Sequence, residues 1–74
     1  MTKMILTEDV VEKMNEVRLF ELLVFKGLPI SQAVAVHLCD DLGMSPVDAG
    51  ALVGLTNIAI HDARRKGRVK LKMN

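Results

Sequence analysis

Residues 45–66 decide the fold, and they read SPVDAGALVGLTNIAIHDARRK. Ser45 and Pro46 are typical of a helix start, because a serine side chain can cap a helix and proline is tolerated at its first position. Gly54 predicts the end of that helix, since glycine readily adopts the left-handed conformation that closes many helices. Thr56 can cap the helix that comes next. The stretch therefore predicts two short helices joined by a tight turn.

These two helices, predicted over 46–53 and from 56 to 67, have the spacing of a helix-turn-helix. Gly50 lies four residues before the turn, where the second helix must cross close to the first. Apolar residues stand where both helices must be pinned to a core, namely at Ala49, Val53, Leu55, Ile60 and Ala63. We therefore predict a helix-turn-helix. An ordinary helical hairpin in a small bundle is the alternative.

A first helix is predicted over 7–26, capped by Thr7 and closed by Gly27. Its first half is amphipathic, and one stripe holds Val10, Met14, Val17 and Phe20. Between residues 19 and 25, six of seven residues are apolar, so this half is hydrophobic nearly all round. A helix of that kind must be covered on more than one side.

A chain of 74 residues has little protein left to cover that segment. We therefore predict a homodimer in which the first helix packs against its mate. The predicted interface residues are Leu19, Phe20, Leu22, Leu23 and Phe25. The alternative is that the other helices of the same chain cover the segment completely.

A second helix is predicted over 31–42. Pro29 disfavours helical angles for the residue before it, Ser31 can cap the helix, and Gly43 can close it. Its apolar positions are Ala33, Val34, Val36 (or Ala35), Leu38 and Leu42.

The chain thus predicts one all-α domain over 1–74, a small four-helix domain with the helix-turn-helix in residues 28–67. It contains neither Asn-Gly nor Asp-Gly, the strongest hairpin signals. Residues 68–74 alternate with a period of two, so they predict a short strand, a wing or a basic tail.

Charge is distributed unevenly, although the formal net charge is only +1. Residues 1–56 hold four Lys and Arg against eight Asp and Glu, whereas residues 57–74 hold six against one. The six cations are Arg64, Arg65, Lys66, Arg68, Lys70 and Lys72. Such a concentration of positive charge can bind a polyanion. The alternative is a solvated end that serves solubility.

Three motifs give the chain a family resemblance. Leu28-Pro29 precedes a helix of about a dozen residues, Gly43-Met44-Ser45 leads into the short helix, and Gly54-Leu55-Thr56 precedes a basic helix. With these motifs, residues 28–71 resemble the helix-turn-helix domain that reads promoters in bacterial sigma factors, and also the domains of LuxR-type regulators. The resemblance implies sequence-specific binding of double-stranded DNA and transcriptional control.

If the last helix enters the major groove, the side chains turned away from the core in its first half face the base edges. These residues are Thr56, Asn57, Ile58, His61, Asp62 and Arg65. Asn57 can contact adenine, Ile58 a thymine methyl group, and His61 guanine.

Asp62 can accept a hydrogen bond from cytosine, or it can hold Arg65 or Lys66 across a helical turn. Contacts to phosphates, which add affinity but little sequence preference, are predicted for Arg64, Lys66, Arg68, Lys70 and Lys72.

The sequence assembles no glycine-rich phosphate loop and no Ser/His/Asp arrangement, so we predict no enzyme, no cofactor and no metal site. We interpret His37 as a surface or boundary residue near Asp41, and Cys39 as a small packed side chain. A single cysteine forms no intramolecular disulfide, and the longest apolar stretch is too short to span a membrane. We expect a cytoplasmic protein without a membrane partner.

A second function class stays open from the sequence. The helical domain can instead serve as a protein-interaction module that docks on RNA polymerase or another regulator. Its acidic and apolar first helix would then form the docking surface.

Overall fold

The computed structural model describes residues 4–73, which contain five helices and the segments that join them. The helices are α1 (Glu8–Glu12), α2 (Glu16–Phe20), α3 (Ile30–Val36), α4 (Pro46–Val53) and α5 (Asn57–Met73). Two of them continue as a π-helical turn, α2 over Glu21–Phe25 and α3 over His37–Asp41. Residues 4–73 contain no strand, which confirms the all-α class. Residues 1–3 and Asn74, the last residue of the predicted tail, lie outside the described residues.

The bounds of α4 agree with the predicted helix over 46–53. Ser45 Oγ accepts a hydrogen bond from the Asp48 N–H at 3.2 Å, and Pro46 occupies the first helical position. Gly54 closes the helix with φ +76°, a conformation that glycine adopts without strain. Thr56 Oγ1 then accepts from the Ala59 N–H at 3.1 Å and caps α5. The predicted caps are therefore confirmed.

Gly50 is required by the close return of the chain after α4. A Cβ atom at this position would collide with the carbonyl oxygen of Leu55. The backbone N–H of Leu55 also donates to the Gly50 carbonyl at 2.9 Å. The turn therefore folds back tightly against α4.

The prediction that the last helix ends at Gly67 is wrong, because α5 continues to Met73. Residues 68–73 are thus its last turns rather than a strand, a wing or a separate tail. Gly67 is buried where α5 crosses α3: a Cβ there would lie 2.6 Å from Val36 Cγ2 and 3.3 Å from the Gln32 carbonyl oxygen. This glycine permits close helix packing instead of ending the helix.

The predicted continuous helix over 7–26 is also wrong, since the chain breaks between α1 and α2. Asn15 caps α2 through its Oδ1, which accepts from the Arg18 N–H at 3.1 Å. The chain changes direction here, so the residues of the predicted apolar stripe do not share one face. Val10 and Met14 are buried, whereas Val17 and Phe20 are 79% and 56% exposed.

The start of α3 differs slightly from the predicted helix over 31–42. The Pro29 carbonyl accepts from the Ala33 N–H at 2.9 Å, so the helix begins at Ile30 and Ser31 lies inside it rather than at its cap. At the other end Gly43 has φ +72°, as expected of a closing glycine. Leu42, a predicted core position, comes after the π-helical turn and is 42% exposed.

The core is centred on α3. Residues 33–39 are buried without a break, because α5 packs on α3 while the π-helical turn after α2 also contacts it. The buried apolar residues are Val10, Met14, Leu19, Leu22, Leu28, Ala33, Val34, Ala35, Val36, Leu38, Cys39, Ala49, Val53 and Ile60. A helical stretch with so few polar side chains must be covered on more than one side.

The N-terminal segment lies over the turn that precedes α5. The Ile5 N–H donates to the Val53 carbonyl at 2.8 Å, and a Cβ on Gly54 would lie 3.0 Å from Ile5 Cδ1. The start of the described chain therefore covers the end of α4.

Replacing Gly67 by alanine tests the crossing of α5 over α3. In an open helix this change stabilises a protein by up to about 1 kcal/mol. Here the added methyl group has no room beside Val36, so we expect the free energy of unfolding to fall by about 1–3 kcal/mol. Urea denaturation measures the difference. A variant more stable than the parent would contradict the close crossing.

Candidate nucleic-acid interface

The predicted base-contact residues lie on the surface at the start of α5. Asn57, Ile58 and His61 are exposed, Ile58 to 76%, while Ile60 on the opposite side of the helix is fully buried. The Arg65 side chain, one turn after His61, is 68% exposed. Thr56 is exposed as well, but its hydroxyl is engaged in capping the helix. The structure thus brings these side chains to one accessible part of α5.

Asp62 holds two neighbouring cations across a helical turn. Its Oδ1 accepts from Arg65 Nη2 at 2.8 Å, and its Oδ2 lies 3.1 Å from Lys66 Nζ. The Arg65 hydrogen bond, followed by that of Lys66, lowers the pKa of the Asp62 carboxyl. The predicted pairing of Asp62 with Arg65 or Lys66 is therefore confirmed for both. Since all three side chains are largely exposed, these pairs are weak and can exchange partners easily.

Asp40, at the end of the π-helical turn after α3, binds two other cations of α5. Its Oδ1 accepts from Arg64 Nε at 2.8 Å, and its Oδ2 accepts from Arg68 Nε at 2.9 Å. Hydrogen bonds from Arg68 and Arg64 lower the pKa of the Asp40 carboxyl against the opposing effect of its burial. No local pattern in the sequence indicates this cluster, because the partners are 24 and 28 residues apart.

The remaining cations of α5 face solvent. Lys70 and Lys72 are exposed and form no ion pair with the residues that the structure describes. An open groove of about 600 Å³ runs along the second half of the helix. Its lining combines basic side chains with two apolar ones: His61, Arg64, Arg65, Arg68, Val69, Leu71 and Lys72. The basic side chains therefore lie beside apolar surface along this part of α5.

The prediction that His37 lies at the surface or at its boundary is wrong, since the side chain is 1% exposed. Its Nε2 accepts from the Asn15 N–H at 2.9 Å, so the ring proton lies on Nδ1, which donates to Asp41 Oδ2 at 2.8 Å. The predicted proximity to Asp41 is thus confirmed. Arg18 Nε donates to the same carboxylate oxygen at 2.9 Å. The cluster joins the break between α1 and α2 to the end of α3 and has a structural role.

Cys39 is a packed side chain, as predicted. It is 6% exposed, and burial raises the pKa of its thiol. Residues 4–73 hold no group of three or more His, Cys, Asp or Glu side chains placed to bind a metal ion. Within the same range, no helix has the length and apolar content needed to cross a membrane.

One apolar face of α2 and its π-helical turn is left uncovered. It consists of Val17, Phe20, Val24 and Phe25, whose exposed fractions are 79%, 56%, 57% and 75%. The rings of Phe20 and Phe25 meet edge to face with their centroids 6.1 Å apart, because a π-helical turn aligns residues that are five apart. Both aromatic residues of the chain therefore lie on its surface.

Only part of the predicted dimer interface belongs to this exposed face. Leu19 and Leu22 lie in the chain's own core, and Leu23 is half-buried against it. Phe20 and Phe25 remain accessible. The other helices thus cover one side of the segment and leave the opposite side open.

No protein-family model, no curated protein and no solved structure matches the chain. The side chains of α5 and the apolar face of α2 are therefore the observations from which a function is proposed.

The Asp40 cluster is expected to make stability depend on pH. The pKa of the Asp40 carboxyl is lower in the folded chain than the value of about 3.9 in an unfolded chain. The contribution of the cluster to the free energy of unfolding is therefore complete above about pH 3.9 and is lost as the pH falls through the folded pKa. Asp40→Asn should therefore be less stable than the parent at pH 7, and the difference should shrink as the pH falls below about 4. Urea denaturation across this range tests it, and a difference independent of pH would contradict it.

Proposed function

We propose that the protein is a non-enzymatic, sequence-specific DNA-binding regulator of transcription in the cytoplasm. In this proposal α4 and α5 form a helix-turn-helix, and the protein acts as a homodimer. The observation that carries the proposal is the outer surface of α5, where exposed polar side chains at the start are followed by a series of cations. A recognition helix needs polar side chains to contact base edges and cations to bind phosphates.

The start of α5 offers side chains that match base edges in the major groove. Asn57 can pair with adenine through two hydrogen bonds, Ile58 can contact a thymine methyl group, and His61 can donate to guanine. Arg65 can reach a further base or stay paired with Asp62. The free backbone N–H groups at the helix start add a site for a phosphate.

Phosphate contacts are expected first from the cations that have no strong internal partner. Lys70 and Lys72 are exposed without an ion pair to a described residue, and Lys66 has only its exposed pair with Asp62. Arg64 and Arg68 can contribute only after they leave Asp40. Binding through such contacts weakens steeply with salt.

The exposed apolar face of α2 supports a second copy of this chain as the dimer partner. The charged residues along this segment, Glu16, Arg18, Glu21 and Lys26, sum to zero, so two copies approach without net repulsion. Since α5 and the π-helical turn after α2 both pack on α3 without extensive contact to each other, pairing through α2 leaves both copies of α5 accessible. Two recognition helices then face half-sites about one DNA turn apart.

The same apolar face also favours the alternative function. A protein-interaction module that docks on RNA polymerase or another regulator needs an exposed apolar surface, and Phe20 and Phe25 supply one. In that case the charge of α5 would have no role in binding.

Lys70→Gln combined with Lys72→Gln tests the proposed DNA contact. Fluorescence anisotropy with a labelled random-sequence duplex should show micromolar binding by the parent that falls steeply with salt. In the double variant we expect binding at 50 mM salt to be roughly tenfold or more weaker, and the salt slope to be flatter by about 2 if each lysine binds one phosphate. The melting temperature should be unchanged, since both side chains lie in solvent.

Lys13→Gln provides the control, because Lys13 is an exposed lysine at the end of α1. It should bind the duplex within about twofold of the parent. A parent without affinity at low salt would overturn the DNA proposal and favour the protein-docking alternative.

Phe25→Glu tests the dimer. A charge at this position should prevent the apolar faces from meeting, so sedimentation should find folded monomers instead of dimers. Val47→Glu is a matched control, because Val47 is 62% exposed on α4 and lies outside the proposed interface. A parent that sediments as a stable monomer would contradict the dimer.

A further inference from the structure

We infer that Arg64 and Arg68 form a phosphate-type anion site that the carboxylate of Asp40 occupies in the free protein. Asp40 thereby competes with a nucleic-acid phosphate for these two arginines. This inference rests on the proposed DNA binding and divides its surface into cations that are available at once and cations that must be released.

The geometry of the cluster is that of an occupied anion site. Nε and Nη2 of Arg64 lie 2.8 and 2.7 Å from Asp40 Oδ1. Nε of Arg68 lies 2.9 Å from Oδ2, and its Nη2 bonds to Oδ1, so this guanidinium engages both carboxylate oxygens. Arginine binds phosphate oxygens with the same fork. The two side chains are one helical turn apart and converge on one anion.

The cluster differs from the neighbouring pairs of Asp62 in two respects. Asp40 belongs to a different helix, so its bonds tie α5 to the end of α3, whereas Asp62 pairs only within α5. The side chains of Asp40 and Arg64 are 22% and 24% exposed, against 45% and 68% for Asp62 and Arg65. Less exposed pairs are screened less by water and salt. Asp40 is therefore expected to compete with a ligand for Arg64 and Arg68 more strongly than Asp62 competes for Arg65 and Lys66.

Release of the arginines is nevertheless feasible. The Arg68 side chain is 53% exposed and lies in the open groove along α5, which Arg64 also lines. A phosphate in that groove can therefore reach Arg68 and compete with the carboxylate for it. The affinity for a polyanion then depends on how strongly Asp40 retains its partners.

Asp40→Asn tests the inference, because the amide keeps the shape of the side chain and removes its charge. Anisotropy with the random-sequence duplex should show a dissociation constant about three- to tenfold lower than that of the parent, and a salt slope steeper by up to about 2. Asp9→Asn removes the same charge from the exposed surface of α1 and should change binding less than twofold.

A double-variant comparison separates release from a general change in charge. In the parent background, Arg68→Gln should leave duplex affinity nearly unchanged, since Asp40 occupies the arginine. In the Asp40→Asn background, the same substitution should remove most of the gained affinity. Equal losses in both backgrounds would overturn the inference, as would a clear loss from Arg68→Gln alone. The comparison of Arg68→Gln alone with the parent tests the inference even if Asp40→Asn fails to fold.

The outcomes distinguish the inference from the proposed function. If the parent binds DNA and Asp40→Asn binds equally or more weakly, the inference fails and the proposed function stands. If Asp40→Asn binds DNA and the parent does not, the result supports the anion site occupied by Asp40. The proposed DNA binding by the parent protein is then overturned. If neither protein binds at low salt, both are overturned.

Discussion

The close crossing of α5 over α3 is the contact on which the rest of the structure depends. Gly67 permits it, because a side chain at this position would meet Val36 and the backbone of Gln32. The crossing completes the burial of residues 33–39, in which the polar side chain of His37 is hydrogen-bonded to the Asn15 N–H and to Asp41. With one side of α5 committed to α3, its other side must lie in solvent. The exposure of the cations on α5 is thus a consequence of how the core is closed.

Those parts of the fold that depend on local interactions could be predicted from the sequence. A helix cap joins a side chain to a backbone N–H three residues later, so Ser45 and Thr56 marked the helix starts correctly. Gly43 and Gly54 indicated the ends of helices correctly, because glycine readily adopts the positive φ angle that closes a helix. The helical period also identified the accessible start of α5, where Ile58 is exposed and Ile60 is buried.

The features that the sequence did not predict depend on residues far apart in the chain. Gly67 had the local signal of a helix end, and only its packing against α3 explains why the helix continues. The His37 ring stabilises the break before α2, because it accepts a hydrogen bond from the Asn15 N–H, 22 residues away in the sequence. The bonds from Asp40 to the arginines span still longer separations. Charge counting therefore located the candidate interface but could not show which of its cations are already bound.

The π-helical turns relax the constraint that the fold places on the length of the chain. Each contains a hydrogen bond between residues five apart, from Lys26 to Glu21 and from Leu42 to His37, and so accommodates one residue more than a regular turn. Because the turn absorbs that extra residue, loss of one residue within residues 37–41 would leave a regular α-helix, and the chain after the turn would keep nearly the same direction. Either helix can therefore lose one residue at its π-helical turn without redirecting the chain that follows.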